Sequence, residues 1–92
     1  MGRYIMNNLV YDTQKSEKVA SGYKQESVEY LGITVWHNTM VDLFRTLNGR
    51  YFFVYVRDFN RGKTCSEEEA KRFLQQYNYE KYVALYGALE EA

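Results

Sequence analysis

The sequence predicts an α+β fold: an antiparallel sheet of about four strands, followed by two C-terminal helices packed on one of its faces. Three observations carry this. Asn48-Gly49 stands between two runs rich in β-branched and aromatic residues, the strongest short-range signal for a β-hairpin. Ser66-Glu67-Glu68-Glu69 is a capping box that opens a stretch of helical periodicity. Every strand-like segment precedes every helix-like one, the order of an antiparallel sheet with its helices gathered to one side.

Tyr4, Ile5, Leu9, Val10 and Tyr11 mark a first strand over residues 3–12, interrupted near Asn7-Asn8, after which Asp12-Thr13 turns the chain. Residues 17–22 read as a short second strand paired to the first. Residues 23–32 are ambiguous: Ser27, Glu29 and Gly32 favour irregular structure, whereas Val28, Tyr30 and Leu31 favour some burial. A long extended segment follows over residues 34–46. A two-residue type I′ turn at Asn48-Gly49, with positive φ at both positions, pairs Phe44 with Phe53, Leu43 with Val54 and Val41 with Val56. In that register one face holds Val41, Leu43, Phe52, Val54 and Val56 and is the expected core. The other holds Asp42, Phe44, Phe53 and Tyr55, and needs either a cover or a partner.

In the capping box the Ser66 hydroxyl accepts from the Glu69 amide, and the Glu69 carboxylate reaches back to the Ser66 amide. Three glutamates in the first turn suit the positive end of the helix dipole. Ala70, Phe73, Leu74 and Tyr77 then fall at i, i+3, i+4 and i+7, one apolar stripe. Asn78 reads as the cap of a second helix, in which Tyr79, Tyr82, Val83 and Tyr86 repeat the spacing and Gly87 sits just past the end. Residues 88–92 read as a frayed tail.

Ninety-two residues make one domain, 1–92, and a chain of this size needs a core dense in large side chains. Ten Tyr, five Phe and one Trp supply it. One Cys excludes an intramolecular disulfide and fits a reducing, cytoplasmic setting. No apolar run approaches the roughly 20 residues of a membrane span, and the N-terminus lacks the pattern of a signal peptide. Met1-Gly2 begins like a myristoylation site, but position 6 is Met rather than Ser or Thr, and Met6 offers an alternative translation start. Formal net charge is zero yet unevenly spread. Residues 45–63 carry Arg45, Arg50, Arg57, Arg61 and Lys63 against Asp58. Residues 66–92 carry Glu67, Glu68, Glu69, Glu80, Glu90 and Glu91 against Lys71, Arg72 and Lys81. Such asymmetry suits either an ordinary solvated surface or two faces of opposite sign.

The residues offer little chemistry. Cys65 precedes a helix N-terminus, which can lower a thiol pKa, but His37 is the one candidate base and nothing in the spacing joins them. Two soft ligands do not make a zinc site. The glutamates at residues 67–69 are accounted for by capping. Arg61-Gly62-Lys63-Thr64 has only the end of a phosphate-binding loop and lacks its upstream glycine. Neither an enzymatic role nor a cofactor or metal is expected. Nucleic-acid binding is a stronger alternative, because Arg45, Arg50, Arg57, Arg61 and Lys63 interleave with Tyr51, Phe53 and Tyr55 as in single-strand binders. A pI near 6.6 is low for that role.

Tyr11-Asp12-Thr13 with Lys18-Val19-Ala20, the hairpin over residues 42–52, the helix start over 66–71 and the closing segment 79–87 together resemble a group of small proteins from bacterial genomes and their phages. The resemblance leaves out residues 23–40. It departs from the group where residues 56–61 replace a Gly-rich stretch. It implies no catalytic residues. What it does imply is a stoichiometric inhibitor of a host defence complex, of the anti-CRISPR type, acting by covering a surface. Two surfaces are candidates for a protein partner: an acidic one with Glu67, Glu68, Glu69 and Glu80, and a hairpin one with Phe44, Arg50, Phe53, Tyr55, Arg57 and Arg61. Tyr and Arg are favoured at interface hot spots. Either a monomer or a homodimer fits.

Overall fold

The computed structural model describes residues 2–92, and all their side chains except those of Phe59 and Asn60. Six strands precede two helices: β1 (Arg3–Met6), β2 (Leu9–Asp12), β3 (Ser16–Tyr30), β4 (Ile33–Thr46), β5 (Tyr51–Tyr55), β6 (Asp58–Cys65), α1 (Glu67–Tyr77) and α2 (Tyr79–Tyr86). The order β3-β4-β5-β6 makes a four-stranded antiparallel meander, and β1-β2 form a separate two-stranded ribbon. The expected α+β class is what the chain adopts. The expected pairing of residues 17–22 with the first strand is not: that segment belongs to β3, whose partner is β4, and residues 3–12 fold back on themselves as a hairpin.

The turns explain the differences. Asn7 and Asn8 have φ of 53° and 61°, and Leu31 and Gly32 have 52° and 78°. Positive φ at two successive positions is the mark of the type I′ turn, and these two pairs close β1-β2 and β3-β4. At Asn48-Gly49 only Gly49 has positive φ, at 82°. Thr46 there donates to the Arg50 carbonyl at 2.8 Å and Gly49 to the Thr46 carbonyl at 2.9 Å. The loop is thus three residues long, a turn ending in a left-handed glycine, rather than the expected two-residue turn.

That one extra residue shifts the register. Leu43 pairs with Phe53 and Phe44 with Phe52. A slip of one moves every side chain of a strand to the opposite face, so the two faces predicted for this hairpin are corrected. Val41, Leu43, Tyr51, Phe53 and Tyr55 face the helices, packed with Val19, Ala20, Ala70, Phe73, Leu74 and Tyr82. Phe44, Phe52 and Val54 face the ribbon, packed with Tyr4, Met6 and Tyr11. The sheet is therefore clad on both sides, and all five residues of β5 are buried.

A glycine admits an aromatic ring on each side. A Cβ on Gly22 would lie 2.5 Å from the Tyr77 ring, and one on Gly62 would lie 2.8 Å from Tyr4. α1 and α2 form as their sequence dictates. Ser66 accepts from the Glu69 amide at 3.1 Å, Ala70, Phe73 and Leu74 are buried, and Asn78 accepts from the Lys81 amide at 3.3 Å. The Glu69 carboxylate, expected to close the capping box, meets the Lys24 ammonium at 2.9 Å.

The ambiguous stretch over residues 23–32 is regular strand. From Lys24↔Thr39 to Tyr30↔Ile33, β3 and β4 pair only with each other, because β5 ends opposite Val41 and Val56 makes the last main-chain bond, to the Met40 carbonyl. This is a two-stranded arm of about 24 Å at ~3.4 Å per residue. It explains a radius of gyration of 14.5 Å, where about 12 Å is usual for this length.

Candidate protein-binding arm

Two ion pairs anchor the arm to the body. Lys24 joins Glu69 and lies 4.3 Å over the Phe53 ring, bringing β3 to α1. Glu26 accepts from Arg61 at 2.8 Å and from the Thr39 hydroxyl at 3.1 Å, bringing β3 to β6. Arg61 in turn covers the Tyr55 ring at 3.9 Å. The Arg61 guanidinium holds the Glu26 carboxyl below the usual carboxylate range, against the opposing effect of burial.

Beyond this brace the composition changes. On the face continuous with the helices, Val28 pairs with Val35 and Tyr30 with Ile33, and all four are exposed. On the other face Trp36 stands opposite Ser27 and is 61% exposed. Leu31 caps the tip, 84% exposed. The arm thus ends in six large apolar side chains with Glu29 as the charged residue among them. Exposed apolar side chains gathered at one end of a small domain, four of them here on a single face, are of the kind that marks an interaction surface.

The predicted hairpin surface is not assembled. Phe53 is 0% and Tyr55 3% exposed, both under the helices, while Phe44 is on the opposite face, stacked 5.3 Å from Phe52. Arg50 and Arg57 are exposed but flank β5 at its two ends, roughly 23 Å apart at ~3.3 Å per residue. Arg61 is engaged by Glu26 and Tyr55. This dispersal also leaves the basic and aromatic groups without the common groove that a nucleic-acid strand follows.

The acidic residues are also spread out. Glu67 accepts from the Tyr86 hydroxyl at 3.1 Å, Glu68 is near Lys71 at 3.9 Å, and Glu69 holds Lys24. Glu80 is exposed in the first turn of α2, past the far end of α1, about 16 Å away at ~1.5 Å per helical residue. What sequence reasoning missed is the arm. Its signal was the uncharged run Ile33-Thr34-Val35-Trp36-His37-Asn38-Thr39-Met40 following a Leu-Gly turn.

Cys65 and His37 do not meet. Cys65 pairs with Tyr51, which pairs with Arg45, and His37 lies eight residues away along β4, about 26 Å. The Cys65 thiol is pushed up to about 12, first by burial and then by the Glu69 charge, the reverse of the helix-terminus effect expected for it. Among the described residues no cluster of His, Cys, Asp and Glu suits a metal ion, and no helix is long and apolar enough to cross a membrane. No family model matches the chain, and no curated protein or solved structure matches it.

Proposed function

We propose that the chain is a non-enzymatic protein-binding module whose contact surface is the β3-β4 arm. One observation carries the reading: a ribbon fixed to the body at its base presents Val28, Tyr30, Leu31, Ile33, Val35 and Trp36 to solvent at its end. Aromatic and aliphatic anchors on a rigid support are the anatomy of interface hot spots. Leu31 adds a second argument. It holds a left-handed conformation at φ 52°, which costs a residue other than glycine roughly 1–2 kcal/mol. Backbone strain of this kind concentrates at functional sites. Asn or Gly would fit the turn better, and neither would present an apolar side chain.

Inhibition of a host defence complex, which the resemblance implies, is one form such a module takes: an arm of this reach enters a groove and blocks it. The test is affinity capture from host extract with three forms of the protein, each treated with nuclease. Trp36→Ser with Leu31→Asn is expected to lose the captured partner. Glu68→Lys with Glu80→Lys is expected to keep it. The opposite pattern would move the contact to the helix termini, and loss of capture on nuclease treatment would favour nucleic acid as the ligand.

A further inference from the structure

The outer edge of β4 along the arm is an open main-chain edge. Thr46 donates to the Arg50 carbonyl at 2.8 Å and Val56 donates to the Met40 carbonyl at 3.2 Å, so the even-numbered residues of β4 turn their main-chain groups away from β3. The register of β3 with β4 is unbroken from Leu43 to Ile33, so the alternation continues into the arm. Thr34, Trp36 and Asn38 therefore point N–H and C=O groups to the side that β5 occupies lower down, and among the described residues none bonds them there. Edges of this type accept a further strand, and residues 33–40 carry no Asp, Glu, Lys, Arg or Pro and no bulge to prevent it.

The base of this edge is only half closed. At Met40 the carbonyl is taken by Val56, but among the described residues the Met40 N–H has no acceptor. It lies at a cleft of about 410 Å³ lined by Asn38, Met40 and Arg57. Arg57, in the turn directly after Val56, is exposed, and among the described residues its guanidinium has no hydrogen-bond or ion-pair partner. Two carboxylates also line the cleft. Glu26 is bonded to Arg61 at 2.8 Å, and the Asp58 charge acts on Arg61 as well. The end of the open edge thus holds two unused donors, one of them cationic, and its main-chain acceptor is already occupied.

We infer that the edge takes the C-terminal segment of a partner protein as a parallel strand, whose terminal carboxylate is held by the Met40 N–H and the Arg57 guanidinium. The inference rests on the arm as a protein-contact surface and names the chemistry of what it contacts. In a parallel ladder each outward residue donates to one carbonyl of the added strand and accepts from the N–H two residues further on. Asn38 supplies the last complete pair of this kind. The next acceptor along the added strand then falls level with the Met40 N–H, and a terminal carboxylate both fills that place and complements Arg57. Other occupants fit less well. An internal segment has to continue past Met40, where Val56 stands. An antiparallel strand that begins there sets an ammonium against Arg57 and leaves the Met40 N–H without an acceptor. Carboxylate capture by main-chain N–H groups, joined to strand addition, is a recurrent mode of peptide recognition, and charge-assisted bonds are its strongest contacts. Alternate side chains of the segment lie beside Ile33 and Val35, which favours apolar residues at every second position.

Random octapeptides panned against the wild-type protein in two displays, one leaving the C-termini free and one the N-termini, test this. Enrichment is expected in the first display and not in the second. The most enriched peptide is then titrated as its free acid and as its C-terminal amide, and the amide is expected to bind at least about tenfold more weakly. Arg57→Gln should remove most of that difference and Arg57→Lys should keep much of it, and an exposed turn residue allows both variants to fold. Exchange of the Thr34, Trp36 and Asn38 amides should slow when the free acid saturates the protein. Failure to enrich any free C-terminus, equal affinity of acid and amide, or unchanged exchange at the edge overturns the inference. Partner capture that is lost in Trp36→Ser with Leu31→Asn would then still stand, as contact through the apolar tip alone.

Discussion

The side-chain amide of Asn78 donates to the main-chain carbonyl of Val19 at 2.8 Å, and Val19 is the bulged residue of β3. The same Asn78 ends α1 through its own N–H, bonded to the Leu74 carbonyl at 2.8 Å, and caps α2 with its side-chain oxygen. A single residue thus supplies the break between two helices and the missing donor for a carbonyl that the bulge takes out of the ladder.

Replacing Asn78 by Ala removes a cap, worth about 1 kcal/mol, and orphans a half-buried carbonyl, worth a further ~1–2 kcal/mol. The sum predicts a fall in melting temperature of roughly 10–20 °C for a domain of this size. Asn78→Asp keeps the capping oxygen and loses the donor, so its loss should be intermediate. Thermal melts of the three proteins decide this, and equal stability of Asn78→Ala and wild type would remove Asn78 from its bridging role.

Gly22 and Gly62 test the two cladding layers separately. Gly62→Ala thrusts a Cβ into the Tyr4 ring and Gly22→Ala does the same to Tyr77. Each is expected to cost about 1–3 kcal/mol by overpacking. Amide exchange should rise first in β1-β2 for the former and in α1 for the latter. A uniform rise in both would mean that the layers open as one unit.

Leu31→Asn relieves the left-handed strain at the arm tip and should raise stability by about 1 kcal/mol, read by urea denaturation. The same variant should bind the partner more weakly, a trade of stability against function. Greater stability with undiminished binding would mean that the Leu31 side chain has no part in the contact.

Alkaline pH should unfold the protein. Cys65 is raised from 9.0 to about 12, and Tyr86 is raised from 10.0 by burial and then by its bond to the Tyr51 hydroxyl, 2.6 Å away. Tyr4 and Tyr55 are raised from the same phenolic value, again chiefly by burial. All are neutral in the folded state and ionise more readily unfolded. Their stabilisation is complete below pH 9, and it is lost as pH rises through 10 toward the folded values. Urea midpoints measured from pH 7 to 11 should be flat and then decline. At pH 8, alkylation of Cys65 should be at least about a hundredfold slower in the native protein than in urea, because the thiolate is the reacting form.

Much of the fold is legible in the sequence, and the gaps have physical causes. The helices were readable because capping and spacing agree at Ser66, Asn78 and the Ala70-Phe73-Leu74 stripe. The register of β5 was not. Register is read from alternation, and Tyr51-Phe52-Phe53-Val54-Tyr55 is apolar at every position, so either face could serve as core. Asn-Gly did not decide it, since a left-handed glycine ends the three-residue loop as readily as it completes the two-residue one. The arm was obscured for a different reason. Gln25, Ser27 and Glu29 have weak strand preference, and it is pairing with β4 rather than burial that makes them extended. The site prediction inherited both errors: it chose Phe53 and Tyr55, which the true register buries, and passed over Tyr30 and Trp36.

Burial of β5 on both sides also determines how the chain tolerates change. In a saturation scan read out by folding, a sheet strand with one wet face gives a sawtooth, sensitive at every second site. Residues 51–55 should instead give an unbroken block in which polar substitution fails at all five positions, while β3 and β4 beyond Met40 read as nearly blank. The heredity of this protein is then constrained most tightly along a single short strand, and the arm beside it is the part that variation can rewrite without losing the fold.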